Sequence, residues 1–162
     1  MGILHRLKAT FLVVCLLLVG AGTAGAADCD PGRVDVRGDW GAVRFSTELA
    51  LTPAVQARGL MFRETLPTLG SMLFVYDRTR LVSFWMRNTL IPLDMIFIDE
   101  RGTVLRVHAE AQPLDETPVE SGAPARAVLE INGGLAARLG IGPGDILRSP
   151  AMPQDSAAWP CS

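Results

Sequence analysis

Apolar and polar residues alternate along several short segments of the chain, and this alternation predicts β-strands. In AVRFSTELAL (42–51), polar side chains separate successive apolar ones, which is typical of a strand with one solvent-facing side. Six further segments are predicted as strands, because most are rich in aromatic or β-branched residues and are bounded by turns. They are SMLFVY (71–76), LVSFWM (81–86), PLDMIFI (92–98), TVLRVHA (103–109), RAVLEI (126–131) and ILR (146–148).

The connections between these segments indicate how the chain turns. DRTR (77–80) and DERG (99–102) have the length and polarity of tight hairpin loops. QPLDETPVESGAPA (112–125) contains three prolines and predicts a long surface loop.

Alternation also assigns the two faces of RAVLEI. Ala127, Leu129 and Ile131 are predicted to point into the core. The intervening side chains, Val128 and Glu130 among them, are predicted to face outward.

Two short helices are predicted between the strands. A threonine-proline pair provides an N-cap and a first helical residue, so a helix is expected over 53–58, before Gly59. LAARL (135–139) is predicted as a second helix that ends at Gly140. Neither is long enough for a parallel crossover. We therefore expect a mostly β (α+β) fold: a compact antiparallel, barrel-like sheet of about seven strands with two short helices.

The N-terminus has the three-part layout of a secretory signal peptide. Basic side chains are followed by nine unbroken apolar residues (11–19) and then by small residues through Ala27. Nine residues are well below the about 20 that span a bilayer as a helix, so cleavage after Ala26 or Ala27 is expected, with an uncleaved anchor as the alternative. The protein is thus expected to be periplasmic or secreted, with membrane contact only through the signal peptide.

Beyond the signal peptide, the cysteines are found at opposite ends of the chain. Cys29 and Cys161 are expected to form a disulfide in an oxidising compartment, holding down a tail rich in proline and alanine. We divide the chain into the signal peptide (1–27), an N-terminal extension (28–41), a single globular β-rich domain (42–148) and a C-terminal tail (149–162).

The charge and residue types exclude several functions. Fifteen basic residues against 17 acidic ones provide no positive field for nucleic acid, which is not expected as a partner. Lys8 is the only lysine, so the chain without its signal peptide has none for a Schiff base or a P-loop. His108 is then the only histidine, which is too few for a zinc site, and we expect no metal and no cofactor.

Four long segments resemble, in order and spacing, the domain-of-unknown-function family 192. They are ALTPAVQARGLMFRETL, SMLFVY, VSFWMRNTLIPLDMIFIDERGTV and ARAVLEINGGLAARLGIGPGDIL, and together they cover roughly residues 44–148. The resemblance implies a compact, mostly β fold. It implies no activity, because none is established for the family.

Polar side chains interrupt the apolar segment around residues 83–98 and indicate a candidate site. Asp94 lies between Leu93 and Met95, and a carboxylate in such a run is either held by structural hydrogen bonds or kept for a ligand. In the structural interpretation it accepts backbone N–H groups or pairs with an arginine. In the functional interpretation one pocket gathers two arginines to clamp an anion, a tryptophan to stack a ring, and three polar side chains. These candidates are Arg58, Arg63, Trp85, Asn88, Asp94 and Glu130.

Three functions remain open at this point. The first is a non-catalytic module of the cell envelope that binds a small polar or anionic ligand, a glycan fragment or a partner protein. The second is a carboxylate-dependent hydrolase or lyase that uses Asp94 or Glu130 as its acid or base, which requires a concave pocket and a perturbed pKa. The third is a structural or assembly protein without a ligand pocket.

Overall fold

The computed structural model describes residues 29–161. The predicted signal peptide and its cleavage site fall outside the described residues. The described part contains nine strands and two helices. In chain order these are β1 (Arg33–Gly38), β2 (Gly41–Ala50), α1 (Pro53–Arg58), β3 (Gly70–Arg80), β4 (Ser83–Phe84), β5 (Leu93–Ile98), β6 (Val104–Ala111), β7 (Val119–Glu120), β8 (Ala125–Asn132), α2 (Leu135–Leu139) and β9 (Ile146–Arg148).

Seven of the strands form one curled sheet in the order β6-β5-β8-β3-β2-β1-β9, which makes a half-barrel. The remaining two, β4 and β7, form a separate antiparallel pair. The mostly β class, the seven-stranded sheet and both short helices are thereby confirmed. At one end of the sheet its two edge strands meet, because the amide of Val104 donates to Asp145 over 2.8 Å and the amide of Leu147 donates to Gly102 over 2.7 Å.

One strand pair differs from the expected antiparallel arrangement. β2 and β3 are parallel, with Ser46 opposite Gly70 and Ala50 opposite Phe74, so the sheet is mixed. The crossover between them contains the six-residue helix α1 followed by a loop. A short helix thus suffices for a crossover here because the loop provides the remaining length.

The segment 77–86 also differs from its prediction. No hairpin forms at 77–80, because β3 continues through Arg80 with an irregularity after Val75. Only Ser83 and Phe84 of the predicted strand are extended, and they pair with β7 outside the main sheet. The amide of Val82 donates to the Ser121 hydroxyl, so this segment finds its partner within the predicted surface loop.

Apolar residues cover both faces of the curled sheet. One core includes Phe45, Leu73 and Leu129. The other includes Met72, Phe74, Met95, Phe97 and Val128 and is covered by Leu60 behind α1 and by side chains of the 82–91 region.

Because the second face is covered, the prediction that Val128 and Glu130 face outward is wrong. Val128 is fully buried and Glu130 is only 4% exposed. Alternation identified the two faces correctly but could not show that both are covered.

The N-terminal extension contributes a strand to the sheet. β1 pairs with β2 and β9, and its Val34 and Val36 are fully buried, so the folded unit begins before residue 42. As predicted, Cys29 and Cys161 form a disulfide, with their Cα atoms 5.6 Å apart.

The C-terminal tail also packs through Trp159. Its ring lies 4.3 Å from the Arg37 guanidinium carbon and 4.2 Å from that of Arg148. Two cation–π contacts therefore fix the tail against β1 and β9.

Candidate functional site

A cavity of about 290 Å³ opens between α1, β3, β4 and β8. Its wall combines aromatic rings with hydroxyl, amide, guanidinium and carboxyl groups. The side chains that contribute chemistry are Gln56, Arg58, Tyr76, Ser83, Trp85, Thr89 and Glu130, with Leu60, Met61, Phe74 and Phe84 between them. Such a mixture of apolar walls and a few convergent polar groups is typical of a small-molecule site.

Glu130 provides the only carboxylate on this wall. In the register of the sheet it lies opposite Met72 of β3 on one side and Met95 of β5 on the other. Both methionines are buried, so the nearest cross-strand neighbours of the carboxyl group are apolar. The same row continues outward to Glu48 on β2 and His108 on β6, each separated from Glu130 by one methionine.

This environment changes the acidity of Glu130. Burial raises the pKa of its carboxyl group from 4.5 to about 8, with no opposing contribution from a hydrogen bond or a cation. The side chain is therefore protonated at neutral pH and presents one O–H donor as well as acceptor oxygens. The carboxyl group also lines the cavity, so water or a ligand that enters can hydrogen-bond to it.

Tyr76 stands on the same wall. Burial raises the pKa of its phenol to about 12, Arg80 lowers that pKa and Glu130 raises it. The Arg80 guanidinium carbon lies 4.5 Å from the centre of the Tyr76 ring. Tyr76 thus remains a neutral hydroxyl at physiological pH.

The mouth of the cavity is formed by Arg58 and Trp85. Arg58 is the last residue of α1, is exposed, and makes no ion pair with any residue in the described range 29–161. Trp85 is 47% exposed, although its ring could be buried in a core of this size. The Arg87 guanidinium carbon lies 5.5 Å from the Trp85 ring centre.

The position of α1 depends on side chains at its two ends. Thr52 caps the helix by accepting a hydrogen bond from the amide of Val55. Gln56 Nε2 donates to the carbonyls of Ala50 and Val75 over 3.0 and 2.9 Å. These bonds hold the helix against β2 and β3 and thereby fix Arg58 relative to the cavity.

Arg63 lies beside the cavity rather than in it. Its guanidinium group makes a two-pronged contact with Glu48, at 2.5 and 2.7 Å. The hydrogen bonds from Arg63 lower the pKa of Glu48, and Glu48 raises the pKa of Arg63. Both line a neighbouring depression, which shares Arg58, Gly59 and Met61 with the cavity.

Asn88 supports the cavity from behind. It adopts a left-handed conformation with φ 56°, and its carbonyl accepts a hydrogen bond of 2.8 Å from the amide of Phe62, which is also left-handed with φ 63°. Its side-chain nitrogen lies 3.9 Å from the sulfur of Met61. Asn88 therefore ties the loop after α1 to the turn after β4.

Asp94 lies away from the cavity and is fully buried. Its Oδ1 accepts from the amides of Glu110 and Gly134 and its Oδ2 from that of Ala136, each at 2.8 Å. The structural interpretation with backbone N–H groups describes this geometry, and no arginine takes part.

Of the six candidates, Arg58, Trp85 and Glu130 converge on one cavity, while Arg63, Asn88 and Asp94 surround or support it. The sequence analysis did not identify the contributions of Gln56, Tyr76, Ser83 and Thr89. Tyr76 could have been recognised from the sequence, because it is the hydroxyl-bearing residue at the end of the largely apolar segment 71–76. Ser83 and Thr89 lie in the polar interruption of the apolar segment that indicated a site, although they were not among the six candidates. Gln56 carries no sequence signal, because its approach to the cavity depends on the parallel crossover.

Within residues 29–161, no group of three or more histidine, cysteine, aspartate or glutamate side chains is placed to hold a metal ion. In the same range, no helix is long and apolar enough to cross a membrane.

The chain belongs to the domain-of-unknown-function family 192 (DUF192), described as "Uncharacterized ACR", whose model matches residues 34–149. No curated protein matches the chain. The matched range starts within β1 and ends just after β9, in agreement with the limits of the sheet.

Two solved structures are similar to this chain. A protein of unknown function from Novosphingobium aromaticivorans is 51% identical, with a TM-score of 0.71 over 72% of this chain and 83% of that one. A putative transcription regulator from Sinorhizobium meliloti is 37% identical, with a TM-score of 0.73 over 79% of this chain and 100% of that one.

Proposed function

We propose that this protein is an exported, non-catalytic module that binds a small polar ligand in the cavity formed by α1, β3, β4 and β8. The observation that carries the proposal is the Glu130 carboxyl group, which is buried among apolar neighbours and lines an accessible cavity. Because it lines the cavity, this carboxyl group can hydrogen-bond to a ligand hydroxyl or carboxylate, and such a bond contributes about 0.5–1.5 kcal/mol.

The rest of the wall supports a ligand with a ring. Trp85 offers a half-exposed indole face at the mouth, and Ser83 and Tyr76 each offer a hydroxyl that both donates and accepts. Thr89, whose hydroxyl donates to the Arg87 carbonyl, offers an acceptor. Arg58 adds a cation that no described residue neutralises.

Export is part of the proposal and rests on two features. The N-terminal 27 residues have the layout of a signal peptide. Cys29 and Cys161 form a disulfide, and disulfides persist in oxidising compartments. A function in the periplasm or outside the cell agrees with both.

The charge of this chain does not favour a role like that of the Sinorhizobium protein, a putative transcription regulator. Acidic residues outnumber basic ones by 17 to 15 in the whole chain. Without an excess of positive charge, the main favourable contribution to binding DNA phosphates is missing.

The test is a thermal-shift screen of small polar compounds on the protein without residues 1–27. Compounds that raise the melting temperature of the wild type should raise it less for Trp85→Ala and for Glu130→Leu, which removes both the donor and the acceptor of the carboxyl group. Leu81→Ala is a matched control, since Leu81 is 67% exposed and lies outside the cavity. Equal shifts for all four proteins, or no shift with any compound, would contradict ligand binding in this cavity.

A second candidate function is an enzyme that uses Glu130 as its acid or base. The favouring observation is the combination of a concave site with a pKa raised to about 8, which suits proton transfer near neutral pH. Asp94 does not serve this candidate, because it lies outside the cavity and is saturated by backbone hydrogen bonds. A panel of hydrolase and lyase substrates tests it: turnover should be abolished in Glu130→Gln and retained in Leu81→Ala.

A further inference from the structure

We infer that the ligand of this cavity is a monosaccharide-sized sugar acid, whose carboxylate pairs with Arg58 and whose hydroxyl groups bond to Glu130 and its neighbouring hydroxyls. This inference rests on the proposed function and names the chemical class of its ligand. It is drawn from the charges, the size and the aromatic surface of the cavity.

The distribution of charge along the cavity favours an anion. Arg58 and Glu130 are the only charged residue types on the wall, the first exposed at the mouth and the second buried at the inner end. With Glu130 protonated, Arg58 provides the only charge, and it is positive. The planar guanidinium group pairs with carboxylates through two parallel hydrogen bonds. No carboxylate within residues 29–161 forms an ion pair with Arg58, so its guanidinium group is available to the ligand.

The inner wall favours hydroxyl groups. The protonated carboxyl of Glu130 and the hydroxyls of Tyr76 and Ser83 each supply a donor and an acceptor. The Thr89 hydroxyl donates to the carbonyl of Arg87 over 3.4 Å and supplies an acceptor. A sugar hydroxyl is both a donor and an acceptor, so it can satisfy any of these groups. A purely apolar acid would make none of these hydrogen bonds and would displace the water that can otherwise make them.

The size and the aromatic surface set the shape of the ligand. A volume of about 290 Å³ is at the small end of ligand cavities, which suits one ring rather than an oligosaccharide. Trp85 at the mouth and Phe84 behind it offer flat apolar surface for the C–H face of that ring.

The same geometry makes binding depend on pH. Glu130 lies opposite Met72 and Met95 in the sheet and shares the cavity wall with Tyr76 and Arg58, while Glu48 and His108 lie beyond the two methionines. Arg80 stacks on the Tyr76 ring. Arg63 neutralises Glu48, and burial raises the pKa of Glu130 to about 8. Above about pH 8 the Glu130 carboxyl group becomes negatively charged at the inner end of the cavity, and this charge repels the carboxylate of the ligand.

The experiment measures binding of D-glucuronate to the protein without residues 1–27 by titration calorimetry, with D-glucose and D-glucosamine as neutral and cationic comparisons. Glucuronate should bind at pH 6, and glucose at least tenfold more weakly. Arg58→Gln should weaken glucuronate binding at least tenfold, whereas Arg78→Gln, an exposed arginine outside the cavity, should leave it unchanged.

The pH dependence adds an independent readout. Between pH 6 and pH 9 the wild type should lose about tenfold in affinity for glucuronate, because one pH unit above the pKa leaves about a tenth of Glu130 protonated. Glu130→Gln, which keeps a donor and an acceptor but does not titrate, should bind with the same affinity at both pH values.

The outcomes separate this inference from the proposed function. If glucose or glucosamine binds as tightly as glucuronate and binding depends on Trp85, the ligand-binding function stands and the sugar-acid inference is overturned. The same holds if none of the three sugars binds while the thermal-shift screen finds another ligand that depends on Trp85. If neither the sugars nor the screen gives a ligand, both proposals fall.

Discussion

Asp94 accepts a hydrogen bond of 2.8 Å from the amide of Ala136, in the first turn of α2, 42 residues further along the chain. Its other oxygen accepts from Glu110 and Gly134. Gly134, the N-cap position of α2, has no side chain to cap the helix, so Asp94 performs the capping from a neighbouring strand. The buried carboxylate thereby joins β5, β6 and α2.

Replacement of Asp94 by alanine should strongly destabilise the protein. Three amides would lose their acceptor, of which that of Ala136 is buried and those of Glu110 and Gly134 are partly buried. An unsatisfied buried N–H costs about 1–3 kcal/mol, so we expect a loss of at least that size. Urea unfolding followed by circular dichroism measures this loss. Asp77→Ala, at an exposed carboxylate, is the control. A loss below about 1 kcal/mol for Asp94→Ala would contradict the capping role.

Glu130 should make stability fall with rising pH. Its pKa is about 8 in the folded protein and 4.5 in the unfolded chain, so between these values the folded state holds a proton that the unfolded state has released. The free energy of unfolding should therefore decrease from about pH 4.5 to about pH 8, by at most about 1.4 kcal/mol per pH unit, and then level off. The measurement is the difference between wild type and Glu130→Gln at each pH. A difference that is constant over this range would show that Glu130 does not titrate as described.

Asp35 forms the opposite case, because its carboxylate is paired. Its Oδ2 accepts from Arg148 Nη2 at 2.6 Å, and both residues are buried, while Arg44 approaches Asp35 from the surface. Asp35→Ala should cost about 3–5 kcal/mol, because it leaves the buried Arg148 without its counter-charge. Arg44→Ala should cost clearly less, since Arg44 is exposed to solvent. Chemical unfolding of the two variants decides whether their order is as stated.

The ion pairs of Asp35 with Arg44 and Arg148 should make the stability of the protein depend on pH in acid. The hydrogen bond from Arg44 and, after it, that from Arg148 hold the pKa of Asp35 below its ordinary value of 3.8 despite the opposing effect of burial. The stability from these ion pairs is thus present above about pH 3.8 and is lost as the pH falls through the lowered pKa. Acid unfolding of the wild type should begin at lower pH than that of Asp35→Asn. Coincident acid transitions would contradict this assignment.

The disulfide should stabilise the ends of the folded domain. It links residues 132 positions apart, for which chain entropy sets an upper limit of about 5 kcal/mol. Thermal unfolding with and without a reductant should show a lower melting temperature after reduction. Free-thiol titration of the unfolded, unreduced protein without residues 1–27 should detect none, and two reactive thiols would exclude the bond.

Export should be visible in the mature N-terminus. Expression of the full chain in a Gram-negative host should yield a periplasmic protein that begins at Ala27 or Asp28, as measured by intact mass. A version with Lys8 and Arg6 both replaced by glutamate should be exported less efficiently, because the positive start of a signal peptide is removed. Retention of residues 1–27 on a membrane-bound product would support the uncleaved anchor instead.

The periodicity of the sequence was enough to predict the fold class and several elements. Both helices occur over the predicted residues, because a Thr-Pro start and glycine ends are local signals. The hairpin of β5 and β6 was predicted because the polar loop DERG (99–102) between them is also a local signal. The extended conformation of residues 77–80 was not predicted, because their polar side chains are typical of a turn. In the structure these residues form the C-terminal end of β3.

The sequence by itself determined most strands of the main sheet, the limits of both helices, and which residue types were available for chemistry. Only the tertiary structure decided which carboxyl group lines the cavity. Asp94 stood out as a carboxylate within an apolar segment, and its oxygens accept the backbone N–H groups that cap α2. Glu130 was predicted to face outward, but it is buried and lines the cavity. The physical reason is that burial depends on what packs over the second face of the sheet. Here Leu60 behind α1 and side chains of the 82–91 region cover that face. The alternation within β8 contains no information about these distant residues.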